Sequence, residues 1–250
     1  MMLLAAGAAH AQSFPKLTGR VVDNANLLSP EQRAAVTNEL AALEAKNRRQ
    51  LVVVTIPDLQ GYEIEDYGYR LGRAWGIGEK DVNSGALLIV APKERKVRIE
   101  VGYGLEPIVT DALSSVIIQQ QILPAFRNGD MAGGIMAGTK ALVDLLGMPD
   151  EQAEARAQKI VADAKAKEEG GIPIGLIFWG IVLAVILFSM IRNRGAGQAF
   201  RRSGLPVILW GPGLGGGGSW GGGGGFGGGG GGGFSGGGGS FGGGGASGSW

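Results

Sequence analysis

Residues 172–191, IPIGLIFWGIVLAVILFSMI, run without a single charge, and this run limits what the rest of the chain can fold into. Wound as a helix it would be about 30 Å long, the thickness of the hydrocarbon core of a bilayer. A single transmembrane helix is therefore expected there, with the folding domain ahead of it. Arg192, Arg194, Arg201 and Arg202 follow the run with no acid among them, whereas Lys165 and Lys167 ahead of it are mixed with Asp163, Glu168 and Glu169. The positive-inside rule then predicts a single-pass protein with its N-terminal domain outside the cytoplasm and its C-terminal tail inside. The first residues agree: 1–11, MMLLAAGAAHA, form an apolar run ending in small residues, with Ala9 and Ala11 spaced as in a signal-peptide cleavage site. The run lacks a basic start, which suggests a truncated signal. Beyond a basic juxtamembrane segment, 192–210, the tail 211–250 holds 27 of the 49 glycines, punctuated by Trp220, Phe226, Phe234, Phe241 and Trp250. Such a composition buries too little surface to offset its ordering entropy, so a disordered Gly-rich tail is expected.

The domain's chemistry is narrowed by what it lacks. The chain has no Cys, and its one His is His10, inside the leader. Ser-His-Asp and Cys-His catalysis, Cys/His zinc sites, iron–sulfur clusters and disulfides are thereby excluded. A bound metal would need oxygen ligands, which points to calcium or magnesium. Residues 12–171 carry 19 Lys and Arg against 22 Asp and Glu, so no nucleic-acid partner is expected.

Within 12–150 the pattern predicts alternating strands and helices. Ser29-Pro30-Glu31-Gln32 reads as an N-cap, a Pro at the first helical position and a capping box; Val36, Leu40 and Leu43 continue one apolar face. A short strand at 19–22 is expected before it. LVVVTI at 51–56 is a β-branched run fit for a strand covered on both faces. Ile64, Tyr67, Leu71 and Trp75 recur at helical spacing. Residues 86–90 and 96–101 form a hairpin around Pro92-Lys93-Glu94-Arg95. The second of these alternates Val97, Ile99 and Val101 with Arg98 and Glu100, which predicts a half-buried strand near a sheet edge with its basic residues solvated. Helices are expected from Thr110-Asp111 to about Arg127, bent at Pro124, and over 130–146. Residues 151–171, rich in Ala, Lys and Glu, read as a solvated helical spacer. The order argues for an α/β fold with a small mixed sheet.

The hairpin brings the entry of its first strand and the exit of its second to one end. Asp81 and Asn83 of DVNSG, Glu106 of GYGLE and Asp111 of VTD can converge there as an oxygen-rich rim suited to a cation. The same residue types also make turns and helix caps without any ligand. DVNSG is not an EF-hand loop, because Pro92 stands where the bidentate Glu would be. Gly102-x-Gly104 lacks a third glycine, so no phosphate loop is expected.

The segments VVDNANLLSPEQ, LVVVTIPDLQGYEIEDYGYRLGRAWGIG, DVNSGALLIVAPKERKVRIEVGYGLE and VTDALSSVIIQQQILPAFRNGD together resemble the TPM domain family. The membrane run and the Gly-rich end in ASGSW are similar to its bacterial exported members, which implies a single-pass protein of the bacterial inner membrane with its N-terminal domain in the periplasm and its C-terminal tail in the cytoplasm. The resemblance implies a three-layer α/β/α sandwich outside the cytoplasm, with an acidic groove that binds calcium-like ions in some members. It implies metal ligands at Asp23, Asp81, Asn83, Glu106 and Asp111. The function it implies is that of an interaction, assembly or repair module at the membrane, with an unidentified membrane or periplasmic protein as partner. A metal-assisted acid phosphatase is the alternative, for which the chain would have to use metal-bound water or a carboxylate as nucleophile.

Overall fold

The computed structural model describes residues 13–169, 179, 181–188 and 236–250. The expected signal peptide, most of the expected membrane span and residues 192–235 lie outside the described residues. Residues 181–188 are helical with largely exposed side chains. Among the described residues no helix is long and apolar enough to cross a membrane.

Residues 13–165 and 236–250 belong to one compact unit. It begins with β1 (Val21–Asp23) and α1 (Pro30–Asn47), whose N-cap Ser29 forms the capping box with Gln32. Next come β2 (Gln50–Thr55), α2 (Ile64–Trp75), β3 (Gly85–Ala91) and β4 (Lys96–Gly102). Asp111–Ile117 is α3, capped by the Thr110 side chain; a wider helical turn over Ile118–Ile122 leads into α4 (Leu123–Arg127), and α5 spans Met131–Leu146. The predicted bend before Arg127 is this wider turn, placed just ahead of Pro124, which has no N–H to donate. After α5 comes α6 (Asp150–Glu169). Finally, β5 (Phe241–Ser249) completes a sheet of order β1-β2-β3-β4-β5. The first three strands are parallel, and β3-β4-β5 are antiparallel.

Helices cover both faces. Leu51, Val53, Leu88, Val97, Ile99 and Val101 share a core with Leu40 of α1, Leu113 and Ile117 of α3, and Ile135 and Leu142 of α5. On the opposite face Val52, Val54, Leu87 and Ile89 meet Ile64, Tyr67 and Leu71 of α2.

Three expectations are corrected. The tail is not disordered over 236–250: its residues pair along β4 from Lys96↔Ser249 to Gly102↔Phe241. Consequently β4, which stands next to the edge strand β5, is buried on both faces and not half-buried. Arg98 and Glu100 are 4% and 0% exposed, enclosed by α2 and β5. The 151–171 helix is not solvated all round either, since Ala153 and Ala157 pack into the larger core.

Candidate functional site

The predicted rim residues separate into two ends of the sheet. Asp23 closes β1 opposite Thr55, at the end where β3 finishes, while DVNSG enters β3 beside Gln50. The length of β2 puts the two ends roughly 17 Å apart. Asp23 has a structural task there. Its Oδ1 accepts from the Thr55 hydroxyl at 2.6 Å and the Leu27 amide at 3.0 Å. Its Oδ2 accepts from the Leu28 amide at 3.0 Å and from Arg33 at 3.2 Å. Burial by itself would raise the Asp23 pKa, but these hydrogen bonds and the Arg33 charge hold it below the ordinary value. Its oxygens are occupied in fixing the β1–α1 connection.

At the other end the hairpin does bring its two loops together. Asn83 adopts a left-handed conformation, its carbonyl accepts from the Gly104 amide at 3.2 Å, and a Cβ at Gly104 would collide with the Val82 carbonyl. Asp81 lies exposed on the outer side of this turn. Asn83, Glu106 and Asp111 instead line the path of the last segment. Asn83 Oδ1 accepts from the Ser240 amide at 2.8 Å, and Asp111 Oδ1 accepts from the Gly245 amide at 2.7 Å. Glu106, Thr110 and Asp111 face Gly242, Gly243 and Gly244 across an open cavity of about 460 Å³.

The five-residue set does not fit one cation. Asp23 is at the far end, and among the described residues no three acidic side chains come together as a metal-holding group. Glu106 and Asp111 are the two carboxylates that remain together at this end.

Two residues that shape this groove escaped the sequence reading. The Arg98 guanidinium donates from Nε to Glu100 Oε2 at 2.5 Å, from Nη1 to the Ser247 hydroxyl at 3.0 Å and from Nη2 to the Gly243 carbonyl at 2.9 Å. It thus ties β4 to β5. Burial raises the Glu100 pKa to about 7 against the opposing pull of Arg98, and Glu65 adds to the rise. The available signal was Gly68 and Gly72 on α2: a Cβ at Gly68 would stand 3.2 Å from Arg98 Cδ and 3.3 Å from Glu100 Oε2. The bare Gly68 leaves room above β4 for the charged pair, and the bare Gly72 leaves room for the Phe241 ring.

The groove for the last segment has an aromatic anchor at each end. Phe241 is fully buried with its ring against Gly72, in the core that holds Tyr67, Leu71 and Ile77. Trp250 meets Phe126 edge-on at 4.5 Å between ring centres.

This fold and hairpin agree with a family profile, that of the TPM domain, which matches residues 21–145. The chain belongs to the TPM domain family. The N-terminal domain of a P. gingivalis protein, solved by solution NMR, is 37% identical over 51% of this chain and 81% of that domain, with a TM-score of 0.48. The N-terminal domain of the Corynebacterium glutamicum protein cg2496 is 20% identical over 54% of this chain and 84% of that domain, with a TM-score of 0.42. A UPF0603 protein of Mycobacterium tuberculosis is 31% identical over 147 residues, and the match spans 57% of this chain and 22% of that protein. The profile match ends within α5, so α6 and β5 lie beyond the matched TPM segment.

Proposed function

We propose that this TPM domain protein is an interaction and assembly module held at a membrane, in which the α2–β4–α3 groove binds an extended glycine-rich strand and the adjoining rim binds a divalent cation. The observation that carries the reading is the seating of 236–250 on β4: an extended segment added to a sheet edge, with backbone pairing for affinity and side-chain pockets for selectivity. The run 172–191 supplies the membrane attachment through its length and lack of charge. To keep β4 and β5 together it enters the bilayer from the domain's side without carrying 236–250 across. In an exported protein that side is the periplasm.

Glu106 and Asp111 hold the cation, calcium above all, and it reinforces the strand by engaging glycine carbonyls across the cavity. Calorimetric titration of the full chain in detergent micelles tests this. Calcium binding in the millimolar range is expected for wild type and Asp81→Asn, and loss of the heat for Glu106→Gln and Asp111→Asn. No heat for wild type at millimolar calcium would remove the cation from the reading. Hydrolysis of a phosphate monoester by wild type, lost in both rim variants, would replace it with a metal-assisted phosphatase.

A further inference from the structure

The groove selects its occupant by exclusion. A Cβ at Gly245 would collide with the Ile99 carbonyl, one at Gly248 would stand 2.5 Å from Ile118 Cγ2, and one at Gly242 would run into the Tyr103 ring. Gly245, with φ +117° and a backbone carbonyl in the way, accepts glycine alone, and at Gly242 and Gly248 a larger residue would have to displace a side chain. Between them Arg98 reads the Gly243 carbonyl and the Ser247 hydroxyl, and Asp111 reads the Gly245 amide. The groove therefore takes one class of ligand: an extended, glycine-rich strand with an aromatic residue at either end.

None of these contacts requires the strand and the groove to share a chain. All the residues that hold 236–250 lie between Gln50 and Arg127, and residues 170–235 separate α6 from the segment. A connection of such length holds its ends together at a local concentration of about a millimolar or less. Copies anchored in one membrane compete at comparable density. A sheet edge filled by a segment on a long tether is also the arrangement from which identical elements exchange between protomers.

We propose that the β4 groove is a receptor for 236–250 of a second copy of this chain, so that strand exchange links neighbouring molecules. The proposal rests on the interaction-module reading above and names its partner. It needs no cation.

The test uses the absence of cysteine in the chain. Lys96 and Ser249 are directly opposed in the β4–β5 register, and opposed side chains begin about 4.5–5.5 Å apart. Full-length Lys96→Cys and full-length Ser249→Cys are reconstituted together in vesicles and treated with a short bismaleimide. The expected result is a covalent dimer containing one of each. Its yield should fall at least tenfold when the Lys96→Cys copy also carries Gly72→Val, which fills the Phe241 pocket, or when the Ser249→Cys copy also carries Phe241→Ala and Trp250→Ala. An undiminished dimer in those controls would reveal collision and overturn the proposal. The double variant Lys96→Cys/Ser249→Cys separates the remaining failures. Intramolecular product there, with no dimer in the mixture, would confine the strand to its own domain and overturn exchange while sparing the groove. Neither product would overturn both exchange and the interaction-module reading.

Discussion

Replacing Phe241 by Ala removes the main apolar hold on β5. The strand offers little else of that kind: between Phe241 and Trp250 it has side chains only at Ala246, Ser247 and Ser249. The ring is fully buried, and its Cδ2 and Cγ lie 2.8 and 2.9 Å from where a Gly72 Cβ would stand. The helix backbone cannot follow the ring inward, because Gly68 already sits close against Ile89. Truncations of buried Phe cost about 3–5 kcal/mol. That loss should fall on strand opening, since the faces of β2 and β3 keep their own cores. At about 1.4 kcal/mol per decade, amide exchange across 242–249 should quicken by roughly 100- to 4,000-fold. Hydrogen exchange of the full chain followed by mass spectrometry measures this, with 87–91 of β3 as internal standard, expected to change little. Unchanged exchange across 242–249 in Phe241→Ala would refute the claim that this ring holds the strand.

Three further outcomes follow from the same geometry. Glu100 has a folded pKa raised to about 7, so the fold favours its protonated form; that stabilisation is complete below about pH 4.5 and is lost as pH rises through 7, a change of order 3 kcal/mol. Urea unfolding at pH 5 and pH 8 should show Glu100→Gln less sensitive to this rise than wild type, and equal pH slopes would contradict the assignment. Asp23 has a lowered folded pKa, so its contribution is present above about pH 3.8 and lost as pH falls through the folded value. Asp23→Asn should cost about 1–3 kcal/mol at pH 7 in the same assay, with a shrinking deficit in acid and calcium heats like those of wild type; loss of the heat in a folded variant would return Asp23 to the rim. In intact spheroplasts, a membrane-impermeant maleimide should label single cysteines at Lys80 and Ser249 alike once the strand is released by Phe241→Ala and Trp250→Ala together. Labelling at Lys80 alone would restore a single crossing.

Much of the domain was legible because local and tertiary signals agree in it. Ser29, Pro30 and Gln32 define the start of α1 by hydrogen bonds among near neighbours, and the period of Ile64, Tyr67 and Leu71 marks a face that does pack on the sheet. In 51–56 the β-branched run marks a strand buried on both sides, as observed. The last strand was not legible for the opposite reason. Glycine weakens strands and carries the largest ordering entropy, so the fifth strand is specified by its acceptor: the β4 ladder, the bare backbone of α2 and the two aromatic pockets. Missing that strand made Arg98 and Glu100 look solvated, because alternation reports the two faces of a strand and not what covers them. The rim was partly legible. The hairpin argument placed Asn83, Glu106 and Asp111 along one path, while Asp23 came from a motif match, and the parallel pairing of β1 with β2 carries it to the far end.

The central claim is that residues 236–250 complete the domain's sheet. Solution NMR of the isotope-labelled full chain in micelles tests it most directly. Cross-strand NOEs are expected between Ile99 and Ala246 and between Val97 and Gly248, together with contacts from the Trp250 indole to Phe126. Random-coil shifts over 241–249, with no NOE to β4, would contradict the account.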